Sequence, residues 1–199
     1  MRKVKAAGNP AMCNILMVGV GGQGIILASD IVARAALFSG YDVKKSEVHG
    51  MSQRGGSVFS HIRFGRKVFS PLIGRGQAEV LLSLEEMETL RWREYAHPDG
   101  TVIVARTAIC PANVREYPKG IEAELARVFK NLFLLDTDAV AGQLGGPKFT
   151  NAVLVGAVSC FLTIENTAWS AAIEALVPAG TIEQNKRAFE MGKTLMRKG

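Results

Sequence analysis

Residues 19–24 read Gly-Val-Gly-Gly-Gln-Gly and directly follow an apolar run at residues 14–18. An apolar run, a glycine-rich turn and then a helical pattern are typical of the first strand, turn and helix of an α/β domain. Glycines let the backbone turn sharply and approach another surface closely, because they have no Cβ. The N–H groups that begin the following helix favour an anion. The turn therefore predicts a phosphate- or nucleotide-binding α/β domain, without specifying which one.

Strand-like apolar segments alternate with helical segments along most of the chain. The predicted strands are residues 14–18, 41–48, 57–64, 80–84, 101–105 and 132–135. The predicted helices are residues 23–39, 85–95, 120–130, 138–144, 151–162, 168–177 and 182–197. Such alternation favours a mainly parallel sheet between helices. We expect a three-layer α/β/α fold with a helical C-terminal third and one antiparallel hairpin, in which residues 57–64 pair with residues 68–70.

The composition is that of a globular chain of about one domain. Of its 199 residues, 48% are hydrophobic. The longest apolar stretch, residues 152–162, is shorter than the roughly 20 residues that a membrane-spanning helix requires. The basic N-terminus lacks the apolar region that follows the charges of a signal peptide. We therefore expect a cytoplasmic protein with no membrane partner.

The formal net charge is +6, and much of the positive charge lies near the two ends of the chain. Charged termini usually solvate the surface and frayed ends. No aromatic-rich basic stripe or nucleic-acid motif accompanies the charge. We expect no nucleic acid partner.

The spacing of the cysteines and histidines in the sequence does not match that of a metal-binding motif. Cys13, Cys110 and Cys160 are scattered, and the three histidines form no pairs at ligand spacing. Iron–sulfur clusters need several nearby thiolates, and structural zinc needs paired Cys or His. Any metal or electron-carrying centre is therefore expected on another chain.

The glycine turn by itself fits three interpretations. In a Rossmann dehydrogenase, an acidic residue at the end of the second strand holds the ribose, and Glu47 lies near that place. An adenylating enzyme has a similar turn, but the Asp-rich, Arg-containing segment and zinc cysteines expected of it are missing. In the third interpretation, the glycines only allow the helix to pack closely. The first two remain as the alternative function, a Rossmann-type nucleotide-binding protein.

A second glycine segment separates these interpretations. Residues 47–57 read Glu-Val-His-Gly-Met-Ser-Gln-Arg-Gly-Gly-Ser. Together with the turn at residues 19–24, this segment resembles the gamma-type subunit of 2-oxoacid:ferredoxin oxidoreductases, most closely the indolepyruvate ferredoxin oxidoreductase beta subunit. The similarity extends through residues 69–73, 78–85 and 151–157, and covers about residues 14–195. We accordingly expect a flexible N-terminal segment at residues 1–13 and a single gamma-type domain at residues 14–199.

The resemblance implies a role in a multisubunit enzyme. Such enzymes decarboxylate a 2-oxoacid on thiamine diphosphate, pass electrons through iron–sulfur clusters to ferredoxin and release an acyl-CoA. In split members, a larger subunit carries thiamine diphosphate and the clusters. The chain is then expected to be inactive alone and to contribute no catalytic residue. An aryl pyruvate such as indolepyruvate is the expected substrate.

Two roles for the chain follow from the resemblance, one for each glycine segment. The first role is docking beside the larger subunit, through a loop that faces the partner or the active site. This loop comprises His49, Met51, Ser52, Gln53, Arg54, Gly55 and Gly56. The second role is contact with coenzyme A through the turn, with Arg54 as a counter-charge. The residues of that contact are Gly19, Gly21, Gly22, Gln23 and Gly24. Both segments follow strands, so both should emerge at the carboxyl edge of the sheet.

Overall fold

The computed structural model describes residues 12–49, 56–110 and 115–198, and six strands in it form one sheet. The strands are β1 (Cys13–Val20), β2 (Asp42–His49), β3 (Ser57–Gly65), β4 (Ala78–Ser83), β5 (Ala96–Ala105) and β6 (Leu132–Leu135). Their order is β2-β3-β1-β4-β5-β6. β3 is antiparallel to both β1 and β2, and the pairs from β1 through β6 are parallel. The mainly parallel sheet is as predicted.

Helices cover both faces of the sheet. They are α1 (Ile25–Phe38), α2 (Glu86–Arg91), α3 (Ile121–Val128), α4 (Thr137–Gly142), α5 (Thr150–Ser159), α6 (Asn166–Leu176) and α7 (Ile182–Lys198). Alternate side chains of β1 point to opposite faces, as the period of a strand requires. Ile15 and Met17 join the larger core with α1, α5, α6 and α7, whereas Leu16 and Val18 join the smaller core with α3. The three-layer fold and the helical C-terminal third are confirmed.

The predicted partner of β3 in the hairpin was wrong. β3 pairs with β2 and β1, and residues 68–70 form no strand. The backbone carbonyls of Ser70 and Leu72 instead accept hydrogen bonds from Nη1 of Arg63, at 2.9 and 3.0 Å. Since a side chain already occupies these acceptors, the segment has its own partners and does not extend the sheet.

The sequence also predicts a separate N-terminal segment at residues 1–13 and no membrane-spanning helix. Residues 1–13 lie outside the described residues except for Met12 and Cys13, and Cys13 already belongs to β1. The division at residue 13 stays a prediction. No helix within the described ranges is both long and apolar enough to cross a bilayer.

The loop at residues 66–77, which joins β3 to β4, is held by a buried histidine. The backbone N–H of Ile73 donates to Nδ1 of His61 at 3.1 Å, and both side chains are buried. The rings of Phe59 and Tyr95 each make a T-shaped contact with the imidazole. Burial, with a smaller contribution from the charge of Arg63, lowers the pKa of His61 below its usual value. His61 is therefore neutral and acts as an acceptor.

Helices α5 and α7 approach so closely that glycine is required at the contact. A Cβ on Gly156 would lie 2.0 Å from the carbonyl oxygen of Phe189, and one on Gly192 would lie 1.8 Å from that of Val153. Both neighbours are helix backbone, which cannot move away without shifting a whole helix. The two glycines therefore determine the spacing of this helix pair.

We expect Gly156→Ala to lower the free energy of unfolding by about 2 kcal/mol or more, because an added methyl overpacks the α5–α7 contact. Urea denaturation of the purified chain measures the change. Gly180→Ala is the matched control, since a Cβ at Gly180 meets nothing within 4 Å. Equal unfolding free energies for the two variants would contradict the tight contact.

Protonation of His61 should destabilise the fold. Because its pKa is lowered in the folded state, the unfolded chain binds the proton more readily below about pH 6.5. Stability should then fall as the pH drops from 6.5 towards the lowered pKa, and be fully present above 6.5. His61→Gln should lose this part of the pH dependence, as measured by urea denaturation at several pH values. Parallel curves for the two proteins between pH 7 and pH 5 would refute the assignment.

Candidate functional site

The two glycine segments meet at one edge of the sheet. Val20, the last residue of β1, lies opposite Ser57, the first residue of β3. The backbone N–H of Gly21 donates to the carbonyl oxygen of Gly56 at 2.9 Å. The carboxyl ends of β1 and β4 lie at this edge as well, because the two strands are parallel. The structure thus brings the glycine turn and the end of the second segment into direct contact.

At three of the four glycine positions in the turn, the structure shows why glycine is required. Gly22 and Gly24 have φ of +99° and +78°, in the left-handed region that glycine adopts without strain. A Cβ on Gly19 would lie 2.7 Å from Oε1 of Gln23. A Cβ on Gly24 would lie 2.8 Å from Nδ2 of Asn151. Gly19 thus serves packing, and Gly24 allows Asn151 to approach the start of α1.

The side chain of Gln23 links the ends of β1 and β4 through two hydrogen bonds. Its Oε1 accepts from the backbone N–H of Val20 at 2.9 Å, and its Nε2 donates to the carbonyl oxygen of Leu84 at 2.6 Å. Leu84 directly follows β4, and its own N–H donates to Val18 of β1. The amide therefore closes the turn and fixes the spacing of β1 and β4 at the edge.

A pocket of about 360 Å³ opens beside the turn. Its lining residues are Gly22, Gln23, Gly24, Leu84, Thr107, Asp138, Pro147, Lys148, Thr150 and Asn151. The N-termini of α1 and α5 both contribute to this lining, and in neither helix does the side chain of the N-cap residue make a capping hydrogen bond. Helix N-termini carry partial positive charge and unsatisfied N–H groups. Of the five turn residues predicted to contact a cofactor, Gly22, Gln23 and Gly24 line the pocket.

Asn151 is the most informative polar side chain of the pocket. It is only 6% exposed, and its Oδ1 accepts from the N–H of Ala152 at 2.8 Å. Among the described residues, its Nδ2 has no hydrogen-bond acceptor, although it lies against Gly24 at the pocket wall. Because Asn151 lines the pocket, this amide donor is available there to a ligand or to water.

Two charged side chains stand at the mouth of the pocket. Lys148 is exposed and its Nζ lies 5.1 Å from the ring centroid of Phe149. Asp138 accepts from the hydroxyl of Thr150 at 3.5 Å. Lys148 favours an anion, and Asp138 favours a hydrogen-bond donor. The pocket therefore suits a ligand that carries both kinds of group.

Sequence reasoning did not assign Lys148 or Asn151 to the site. Asn151 occurred in the segment of family similarity, but no ligand role was given to it. The available signal was a polar residue that opens an otherwise apolar helix, after Pro-Lys-Phe at residues 147–149. Only the packing of α5 on the turn shows that this residue faces the glycines.

A buried carboxylate holds one wall of the pocket. Glu85 is 1% exposed and accepts from the hydroxyl of Tyr117 at 2.6 Å, from the N–H of Ile109 at 3.2 Å and from the N–H of Glu88 at 2.8 Å. Burial and the adjacent Glu85 raise the pKa of Tyr117, so the phenol stays protonated and donates. The network fixes the chain after β5, which includes Thr107 of the pocket.

A second carboxylate fixes the end of the docking segment. Oε2 of Glu88 accepts from the hydroxyl of Ser57 at 2.5 Å, and its Oε1 accepts from Nε of Arg91 at 2.9 Å. His49 ends β2 opposite Val58, which places it at the same edge. Met51, Ser52, Gln53, Arg54 and Gly55 lie outside the described residues. Their predicted docking role stays a prediction.

No metal site emerges from the part of the chain that the structure describes. No three His, Cys, Asp or Glu side chains there come together in a way that could hold a metal ion. Cys13 is buried, and burial raises the pKa of its thiol, with a smaller contribution from Glu79. This thiol is therefore neutral and acts as a core side chain.

Comparisons with known proteins give consistent results. A sequence model of the family described as pyruvate ferredoxin/flavodoxin oxidoreductase matches residues 14–195. The indolepyruvate oxidoreductase subunit IorB of Thermococcus kodakarensis is 37% identical over 191 residues, covering 90% of this chain and 93% of that protein. The gamma subunit of a keto/oxoacid ferredoxin oxidoreductase from Geobacter sulfurreducens has a TM-score of 0.73 and 25% identity, covering 95% of this chain and 98% of that one.

Part of a longer protein chain of known structure has the same fold as this chain. A 2-oxoglutarate:ferredoxin oxidoreductase from Magnetococcus marinus, with 2-oxoglutarate, coenzyme A and succinyl-CoA bound, has a TM-score of 0.73 and 17% identity. The match covers 96% of this chain and 32% of that chain. At this identity, the likeness shows the fold alone.

Replacing Gln23 by alanine should destabilise the edge that carries the pocket. The N–H of Val20 and the carbonyl of Leu84 would both lose a partner, at a cost of about 2 kcal/mol in unfolding free energy. Urea denaturation measures the loss, and Gln143→Ala, on an exposed side chain, is the control. A Gln23→Ala variant as stable as this control would show that the bridge contributes nothing.

Proposed function

The chain belongs to the pyruvate ferredoxin/flavodoxin oxidoreductase family, and on that premise we propose that it helps to bind coenzyme A as a subunit of an indolepyruvate-type 2-oxoacid:ferredoxin oxidoreductase. The family match confirms the resemblance inferred from the two glycine segments. The chain is an oxidoreductase subunit, as its relatives are.

The pocket beside the glycine turn supports a coenzyme A contact. Coenzyme A carries phosphate groups, which suit the N-termini of α1 and α5 and the ammonium group of Lys148. The observation that carries the proposal is Asn151, a buried amide whose Nδ2 lies against Gly24 at the pocket wall. The structure of the relative from Magnetococcus marinus contains coenzyme A, which fits this assignment.

Docking is the second part of the proposal. We assign thiamine diphosphate and the iron–sulfur clusters to a larger partner subunit, with ferredoxin as the acceptor for the whole complex. The segment from His49 to Gly56 would face that subunit, with Arg54 as a multi-donor contact. The hydrogen bond from Gly21 to Gly56 supports this arrangement, because it joins the docking segment to the turn that carries the pocket. This chain then shapes the active centre without supplying its reactive groups.

The proposed substrate is indolepyruvate or another aryl pyruvate. It is supported by the relative from Thermococcus kodakarensis, which is an indolepyruvate oxidoreductase subunit. The pocket described above is proposed for coenzyme A and does not select the oxoacid. The side chain of the oxoacid would be recognised on the larger subunit.

The alternative, a nicotinamide-binding Rossmann protein, is disfavoured by the sheet order. In a Rossmann unit the second strand lies beside the first, so that its terminal acid reaches the ribose. Here β3 lies between β1 and β2, which moves β2 away by about 5 Å more, the spacing of one strand. Glu47, the acid in question, is also ion-paired with Lys45 at 3.0 Å.

The coenzyme A contact predicts a specific kinetic defect. In the complex reconstituted with the larger subunit, Asn151→Leu and Lys148→Ala should each raise the KM for coenzyme A about tenfold, the equivalent of one hydrogen bond to a charged group. The KM for the oxoacid should not change. Calorimetric titration of the complex with coenzyme A gives a second readout that is independent of turnover.

The control for this experiment is Lys130→Ala. Lys130 is a similarly exposed lysine that precedes β6 at the opposite edge of the sheet and pairs with Asp99. If Asn151→Leu and Lys148→Ala both leave the KM and the calorimetric affinity for coenzyme A unchanged, the pocket is not the coenzyme A contact. A rise in melting temperature of the isolated chain with NADH would favour the Rossmann alternative.

A further inference from the structure

The loop at residues 66–77 exposes two large apolar side chains to solvent. Phe69 is 88% exposed and Leu72 is 61% exposed, the two highest values among the large hydrophobic residues that the structure describes. Neighbouring side chains of the same loop, Val68 and Ile73, are almost completely buried. Val68 and Ile73 therefore attach the loop to the core, whereas Phe69 and Leu72 project from the loop into solvent.

Hydrogen bonds make this loop rigid. Arg63 donates to the carbonyl oxygens of Ser70 and Leu72, and its Nε donates to Oδ1 of Asn14 at 2.8 Å. The N–H of Val68 donates to Oδ2 of Asp42 at 2.9 Å. Such a preformed loop loses little conformational entropy on binding, which is the property of an interface anchor.

The charged residues of the loop itself are all basic. Residues 63–77 include Arg63, Arg66, Lys67 and Arg75, and contain no Asp or Glu. Two of the cations are partly neutralised, since Lys67 pairs with Asp42 at 3.7 Å and Arg75 pairs with Glu94 at 3.1 Å. The surface therefore combines an apolar centre with a basic rim, and it is complementary to an apolar pocket surrounded by carboxylates.

The loop lies at the edge opposite the candidate site. Gly65, where the loop begins, pairs with Asp42, the first residue of β2, and Phe64 pairs with Cys13, the first residue of β1. The eight residues of β1 separate this edge from the glycine turn, which corresponds to about 26 Å. A partner bound at the turn alone would leave Phe69 and Leu72 exposed.

We propose that residues 66–75 form a second docking surface, which inserts Phe69 and Leu72 into an apolar, acid-rimmed pocket of the larger subunit. This inference rests on the proposed function, because it takes its partner from the same complex. A second copy of this chain does not fit as well, since a two-fold contact through the loop would bring Arg66 and Arg75 of both copies together. Aromatic anchors at the centre of an interface contribute much of its affinity.

Binding to the tagged larger subunit tests the proposal. The double variant Phe69→Ser/Leu72→Ser should bind at least tenfold more weakly than the unaltered chain. Arg66→Glu should weaken binding at low salt, and the loss should shrink as salt is raised, because the exposed charge is screened. Phe69, Leu72 and Arg66 are all exposed, so the melting temperature of each variant should stay unchanged, which separates lost docking from lost folding.

The control is Leu37→Ser/Phe38→Ser, a similarly exposed apolar pair on the last turn of α1. Undiminished binding of the Phe69→Ser/Leu72→Ser variant would overturn the inference, and so would an equal loss in the control. A change in self-association with unchanged binding to the larger subunit would make a second copy the occupant and overturn it as well. If the unaltered chain does not bind the larger subunit, the proposed function itself fails.

Discussion

The hydrogen bonds of the Gln23 side chain hold together the edge on which the candidate site depends. One amide joins the end of β1 to the end of β4, while Gly21 of the same turn joins Gly56. Without this bridge, the start of α1 would not be held against the neighbouring strand ends. The free N–H groups of α1, the amide of Asn151 and the wall held by Glu85 all depend on that arrangement for their common pocket.

The antiparallel strand β3 explains why a turn typical of nucleotide-binding folds leads to a different proposal here. Inserted between β1 and β2, it removes the neighbouring strand end on which a ribose would rest. It also returns the chain from the carboxyl edge to the opposite edge. One strand therefore separates the segment that ends at Gly56 from the loop at residues 66–77. Gly56 and the start of the loop at Arg66 therefore lie at opposite ends of β3.

Several elements were predictable because their signals are local. Strand and helix periodicity, the glycine turn and the absence of paired cysteines are all visible in short windows of sequence. The partner of β3 was not predictable in this way: residues 68–70 read as a strand, but Arg63 and His61 hold that loop through contacts that periodicity does not encode. Lys148 and Asn151 were missed for the same reason, since they line the pocket beside the turn only after α5 packs on α1.

The sequence by itself determined the layered α/β fold, the place of the glycine turn and the family. These depend on residue type and on nearest neighbours along the chain, where apolar period and backbone freedom act directly. The tertiary structure decided which turn residues line a pocket, which side-chain amide lies beside them, and which apolar side chains project from the surface. Those properties depend on residues distant in sequence that come together only when the helices and strands pack, so no local pattern encodes them.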